Sequence, residues 1–275
     1  MHPASGVRSG NDPSSEKDGD MTGSSDARTV ELGDRLVAVR RRLDAAVEAA
    51  HRPPGSCELL VVTKFFPADD VRRLLQLGER AFGESREPEA GRKVASVLRD
   101  RVLRDRESPD PDDVPVFDMI GSVQSKKARS VARWARAVHS VDRPKVVDAL
   151  DRAAAAALDE AERADPLGIL LQVSLDGDPQ RGGVVEADLA SLAEQVVAAH
   201  ALRLRGLMVI APLHGDPEHW MAETARVHEV FRARFDDAAE LSAGMSGDME
   251  AAVAAGSTCV RVGTAIMGER PLVSQ

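Results

Sequence analysis

A chain of 275 residues, 43% of them hydrophobic, carries enough apolar material for one large domain or two small ones. Its formal charge of -9 and pI near 5.4 argue against non-specific nucleic-acid binding, which needs a basic surface. No run approaches the roughly 18 to 20 consecutive apolar residues of a membrane helix. Cys57 and Cys259 lie far apart in strand-like runs, and Cys and His show no metal-ligand spacing. That pattern argues against a disulfide framework and fits a reducing cytoplasm.

Residues 1–28 are rich in Ser, Gly, Asp and Pro and almost devoid of large apolar residues, so a disordered tail is expected there. They contain no apolar core of the kind a signal peptide needs, and Met21 offers an alternative start. The domain is expected to occupy 29–275. It begins with an amphipathic helix over Thr29–Arg52, whose apolar residues fall at helical spacing. Eight strand-like runs follow in order: ELLVVTKF, RAFGES, VFDMIGS, AVHSVD, GILLQVSL, LRLRGLMVI, AELSAG and TCVRVGT. Helix-like segments alternate with them, for example ADDVRRLLQLG, PKVVDALDRAAAAALDEAER and DMEAAVAAG. Eight such units predict a (β/α)8 TIM barrel preceded by an additional N-terminal helix. An open doubly wound sheet is the alternative, though no glycine-rich dinucleotide fingerprint follows the first strand. Leu98–Pro115 interrupts the rhythm and is expected to be a helix extension plus an exposed loop.

In such a barrel, reactive groups gather at the C-terminal ends of the strands. Lys64 closes the first strand with no acid nearby in sequence. It either snorkels out of a strand end or performs chemistry in a pocket. Glu84 and Ser85, Gly121 and Gln124, His139, Ser140 and Asp142, Gln172 and Ser174, and Met208 occupy the corresponding places on strands two to six. After strand seven come Ser242, Gly244 and Ser246; at the end of strand eight come Arg261, Gly263 and Thr264. The last two loops have the composition of an anion cradle, and barrels often bind phosphate there. Ordinary strand-to-helix turns with Ser and Asp as caps are the alternative. A lysine across from a phosphate site suggests a Schiff base with a phosphorylated aldehyde.

The stretches LLVVTKFFP, GERAFGES, FDMIGSVQSKKAR, VHSVDRPKVVDAL, ILLQVSLDGDPQRGG, LRGLMVIAP and LSAGMSGDMEAAVAAGSTCVRVGTAIMGER together resemble the pyridoxal phosphate homeostasis protein family. That family is a single-domain relative of the alanine racemase barrel domain, and the resemblance runs from about residue 30 to 271. It implies that Lys64 holds pyridoxal 5'-phosphate as a Schiff base. It also implies that Ser246, Gly263 and Thr264 hold the phosphate and that Arg261 faces the pyridine nitrogen. The chain departs from the family's Gly-Glu-Asn-Tyr motif at Ser85 and Arg86. It departs again at Ser122 and Lys126, where His and Asn are usual, at Ser174 for Asn and at Ala243 for Met. These changes surround the cofactor's face and leave the lysine and the phosphate loops intact.

The function that the resemblance implies is cofactor buffering or delivery in the cytoplasm, by a non-catalytic monomer that passes pyridoxal phosphate to recipient apo-enzymes. Neither nucleic acid nor membrane is an expected partner. The competing expectation is a pyridoxal-phosphate-dependent racemase. Against it, the sequence contains no tyrosine and runs out just after the barrel, whereas alanine racemase takes a catalytic tyrosine from a second domain. Arginine never yields its proton, so Arg261 would leave the pyridine ring unprotonated and a poorer electron sink, a weaker argument because alanine racemase also places an arginine there. A scaffold role for the acidic insert and tail is a third reading.

Overall fold

The computed structural model describes residues 21–104, 114–178, 180–212 and 215–270. Eight parallel strands close on one another in sequence order: β1 (Glu58–Val62), β2 (Ala81–Glu84), β3 (Val116–Met119), β4 (Ala137–Val141), β5 (Leu167–Val173), β6 (Leu202–Val209), β7 (Glu240–Ser242) and β8 (Cys259–Val262). Pairing of Leu59 with Val260 and of Val61 with Val262 joins β8 back to β1 and abolishes both sheet edges. The TIM barrel expected from the alternation is the observed fold.

Helices α1 (Met21–Ala49), α2 (Ala68–Gln76), α3 (Glu89–Arg104), α4 (Ala128–Ala132), α5 (Pro144–Asp159), α6 (Glu186–Ala198), α7 (Pro217–Arg232), α8 (Met249–Ala254) and α9 (Thr264–Met267) accompany the strands. The start signals are local. Pro144 and Pro217 stand in the first turns of α5 and α7, where a missing N–H costs nothing, and Asp216 accepts from the Glu218 N–H as an N-cap. On α5, Val146, Val147, Leu150, Ala153, Ala154 and Ala157 form the buried stripe that period 3.6 dictates. The largest apolar clusters lie between sheet and helices, as strands buried on both faces require.

Strand alternation sends the opposite set inward. Leu60, Ala81 and Cys259 form one small interior cluster, and Ala137, Leu170 and Met208 another. Between them the same inward parity carries polar groups, namely Glu58, Asp118, His139, Ser242 and Arg261.

Two boundaries differ from expectation. The first helix starts at Met21 rather than Thr29, so 21–28 are helical and not part of a disordered tail. Side-chain pairing anchors the end of this stretch. Arg28 bonds the buried Asp70 of α2 at 2.9 Å and the Met267 carbonyl of α9 at 2.9 Å. Downstream, Leu32, Leu36, Val39, Leu43, Ala46 and Val47 seat α1 on the barrel beside α2, α8 and α9. The tail expectation for 1–20 falls outside the described residues, as does the exposed-loop expectation over 105–113. The helical extension is observed, since α3 runs to Arg104.

Candidate functional site

Lys64 stands two residues beyond the last residue of β1. The turn that carries it is fastened from below. The buried Thr63 hydroxyl donates to Glu84 Oε1 at 2.7 Å, and its N–H donates to the Gly83 carbonyl at 3.1 Å. Lys93, reaching over from α3, donates to the Thr63 carbonyl at 2.9 Å and to Glu84 Oε1 at 2.7 Å. Phe65, the next residue, takes the left-handed conformation with φ 73, which is unusual for an aromatic side chain. Its ring is covered by the Arg270 guanidinium at 3.8 Å, with Lys64 Nζ 5.9 Å from the same ring centre.

The two lysines are in opposite electrostatic states. Lys93 is 12% exposed and ion-paired with the buried Glu84. Lys64 is half-buried, and among the described residues no carboxylate pairs with it. Burial pushes its ammonium below the ordinary lysine value, and the positive charges of Arg261 and Arg270 push it further. An amine in that setting spends more of its time neutral and nucleophilic.

Across the mouth, the β7 and β8 loops run side by side. The Arg261 N–H donates to the Gly244 carbonyl at 3.0 Å, which ties the two loops together. Gly244 has φ +91, and a Cβ there would fall 2.5 Å from the Ala252 Cβ, so the turn before Ser246 admits only glycine. The loop is closed by Asp248, which accepts the Met245 N–H at 2.6 Å. Arg42 of α1 donates to the Ser246 carbonyl at 2.9 Å while also pairing with Glu250. Gly263 and the exposed Thr264 open α9 from the end of β8.

Arg261 points into the barrel and is 6% exposed. Its Nη1 donates to Ser242 Oγ at 2.6 Å and its Nη2 to the Val209 carbonyl at 2.8 Å. Burial lowers its guanidinium below the ordinary value, with a weaker opposing pull from Cys259 and Asp248. Behind it, Ser242 Oγ lies 3.0 Å from His139 Nδ1, and His139 Nε2 lies 3.3 Å from Asp118 Oδ2. Arg136 then bridges Asp118 at 2.5 Å and Glu58 at 2.8 Å. A polar column therefore fills the barrel axis beneath the mouth.

A cavity of about 230 Å³ opens beside Lys64, lined by Phe65, Phe66, Glu84, Ser85, Arg86 and Lys93 among others. A roomier one, about 660 Å³, lies at the opposite end between Arg136, Arg163, Arg205 and Glu240. Size does not decide between them. Arg136 and Arg205 at the larger cavity are already committed to Glu58, Asp118 and Glu240, and that end is the structural face of a TIM barrel. Among the described residues no group of His, Cys, Asp or Glu is arranged to hold a metal ion, and no helix is long and apolar enough to cross a membrane.

All five residues singled out from the sequence, Lys64, Ser246, Arg261, Gly263 and Thr264, stand at the C-terminal end of the barrel, on β1, β7 and β8 or the loops that follow them. Sequence reasoning missed Arg270, the second cation beside Lys64, and the Glu84–Lys93 pair beneath it. It also missed Arg42, which reaches the Ser246 loop from a helix more than 200 residues earlier. The position of Arg270 just after the VGTAI turn was the available signal; nothing local marks Arg42.

The chain matches the model of the alanine racemase N-terminal domain over residues 35–271. It is 48% identical over 250 residues to the pyridoxal phosphate homeostasis protein of Mycobacterium bovis, covering 90% of this chain and 96% of that protein. Among solved structures, PipY of Synechococcus elongatus PCC7942, with PLP bound, superposes with a TM-score of 0.66 at 30% identity, over 86% of this chain and all of that one. Alanine racemase from Corynebacterium glutamicum superposes with a TM-score of 0.57 at 15% identity, over 91% of this chain and 62% of that one, a likeness of fold alone.

Proposed function

The chain belongs to the alanine racemase N-terminal domain family, among its pyridoxal phosphate homeostasis proteins, and from that membership we propose that Lys64 anchors pyridoxal 5'-phosphate for intracellular homeostasis of the cofactor. Ser246, Gly263 and Thr264 receive the phosphate, and Arg261 faces the ring nitrogen. The donor set fits the ligand. A phosphorylated aldehyde needs a neutral amine for its carbonyl and hydrogen-bond donors for its phosphate and ring nitrogen. The mouth offers a half-buried lysine with no carboxylate partner among the described residues, its ammonium disfavoured by burial and by Arg261 and Arg270. When bound, the cofactor supplies an aldehyde for the amine and a ring that withdraws electrons.

The protein's own groups have separable tasks. Thr63, Glu84 and Lys93 fix the turn that presents Lys64, while Arg42 and Asp248 fix the loop that presents Ser246. The site is half open at Lys64, which suits a protein that takes up and releases cofactor. We assign it a buffering or delivery role as a monomer in the cytoplasm, with apo-enzymes as recipients.

One observation carries this reading: Glu84 pairs with Lys93, and among the described residues Lys64 has no carboxylate partner. Visible absorption of the protein mixed with pyridoxal phosphate, before and after borohydride, tests it. A band that reduction removes, with the pyridoxyl group then mapped to Lys64, is the expected result. Unphosphorylated pyridoxal should bind orders of magnitude more weakly, because each lost charge-assisted hydrogen bond costs about 1.5 to 3 kcal/mol. Equal affinity for the two aldehydes would remove the phosphate site.

A further inference from the structure

We propose that Asp118, His139 and Ser242 are positioning residues for Arg261, a buried relay that aims its guanidinium at the cofactor's ring nitrogen. The inference rests on the cofactor reading above and adds three residues that need not touch the cofactor themselves. They sit on β3, β4 and β7, facing inward, and Arg261 faces them from β8.

The hydrogen bonds form one consistent series. Arg261 is donor only, so Ser242 Oγ accepts from Nη1 at 2.6 Å. A serine hydroxyl has one proton to give, and the nearest acceptor for it is His139 Nδ1 at 3.0 Å. If Nδ1 accepts, a neutral imidazole carries its proton on Nε2. The Asp118 carboxylate lies 3.3 Å from Nε2 and favours that tautomer. Asp118 is itself held by Arg136 and by the Ala137 N–H at 3.1 Å, and Arg136 by Glu58. Every donor in the series from Arg261 to Asp118 points the same way, an arrangement in which neighbouring hydrogen bonds strengthen one another.

The charges give the relay its purpose. Arg261 is a buried cation with no carboxylate in contact, since its described partners are a hydroxyl and a carbonyl. Glu58, Arg136, Asp118 and Arg261 alternate in sign up the barrel axis, so Asp118 compensates Arg261 through two neutral groups. A carboxylate touching Arg261 would compete with the ligand for its N–H groups. A serine leaves the guanidinium oriented and its charge unspent. Arginine has five N–H donors, and the two described bonds fix the plane without using them all.

The test compares Ser242→Ala, Ser242→Thr, His139→Leu and Asp118→Asn in the full chain against two ligands. One is pyridoxal phosphate; the other is its analogue with C–H in place of the ring nitrogen. Ser242→Ala and His139→Leu should weaken pyridoxal phosphate roughly tenfold or more and shift the visible absorption maximum of the bound cofactor, as expected for a charge-assisted bond. Affinity for the C–H analogue should stay within a few-fold of the unmodified protein. Ser242→Thr keeps the hydroxyl and should retain both affinity and spectrum. Equal weakening of the two ligands would show only a structural role and overturn the relay, as would no change for either. If Asp118→Asn does not fold, Ser242→Ala against Ser242→Thr decides the question alone. Failure of the unmodified protein to give a reducible Lys64 adduct would instead sink the cofactor reading.

Discussion

Lys93 Nζ lies 2.7 Å from Glu84 Oε1, and that same carboxylate oxygen accepts the hydroxyl of Thr63, the residue before Lys64. One buried acid thus pairs with a neighbouring lysine and fixes the turn that carries Lys64. Lysine chemistry at the barrel mouth is selected by which ammonium has a carboxylate, not by which is nearer the solvent.

Reductive trapping with pyridoxal phosphate should therefore modify Lys64 and spare Lys93. Glu84→Gln removes the carboxylate that engages Lys93, so part of the adduct should move to Lys93. The same variant should lose about 1.5 to 3 kcal/mol of stability, the usual worth of a hydrogen bond to a charged group. Peptide mass analysis after borohydride reads the site, and urea unfolding reads the stability. Unaltered labelling on Lys64 alone in Glu84→Gln would show that the carboxylate plays no part in the selection.

Much of this site was legible because its carriers are local anomalies. Lys64 is a lone cation closing an apolar β-branched run, and Gly263–Thr264 breaks the last strand abruptly. The eight strands were legible for the same reason, as short apolar runs bounded by polar ends. The relay was not, because Asp118 and Arg261 are 143 positions apart in sequence and are linked through His139 and Ser242 only when the sheet closes. The start of α1 was also hidden. Met21–Arg28 has almost no apolar pattern to read, and what holds its end is an ion pair to Asp70, 42 residues away.

That ion pair fixes where truncation becomes costly. Residues 1–20 are nearly free of large apolar groups, so deleting them should leave the melting temperature nearly unchanged. Deleting through Arg28 takes away a partner of the buried Asp70 and the donor to the Met267 carbonyl. A loss of about 1 to 3 kcal/mol should follow, seen by calorimetry as a fall of several degrees. Equal melting temperatures for the two truncations would mean that Arg28 contributes nothing to the fold.

Asp118 gives the protein an acid-sensitive component. Burial alone would raise its carboxyl, but hydrogen bonds from His139 and Arg136, together with the charge of Arg136, hold it well below the usual range. A carboxyl depressed in the folded state contributes stability that is fully present above the unfolded value of about 3.9. That stability is lost as pH falls from there toward the folded value. Asp118→Asn lowers stability at neutral pH but has no such proton to take up. Between pH 5 and 3 its urea midpoint should fall less than that of the unmodified protein. Parallel lines would place the depressed carboxyl elsewhere.

The purified holo-protein should not racemize alanine at an enzyme's rate. Two-base racemization needs a proton acceptor on each side of the substrate's α-carbon, within hydrogen-bond reach of the proton it moves. Lys64 serves one side. For the other, the 275 residues contain no tyrosine. His139, the substitute its place on β4 invites, is 3% exposed, with one ring nitrogen on Ser242 and the other beside Asp118. It is turned into the barrel and committed at both ends. A general acid–base group contributes about 10²- to 10⁴-fold, so a missing one leaves a trace rate. The half-exposed mouth adds to the deficit, because water screens the charges that a dry site would hold in place. The assay is L-alanine in deuterated water, followed for both chirality and α-deuterium. Slow deuterium uptake with chirality retained is the expected outcome, the signature of exchange through Lys64 on one side only. Rapid formation of D-alanine that Lys64→Ala abolishes would make the protein a racemase and reassign the second base to a residue other than His139.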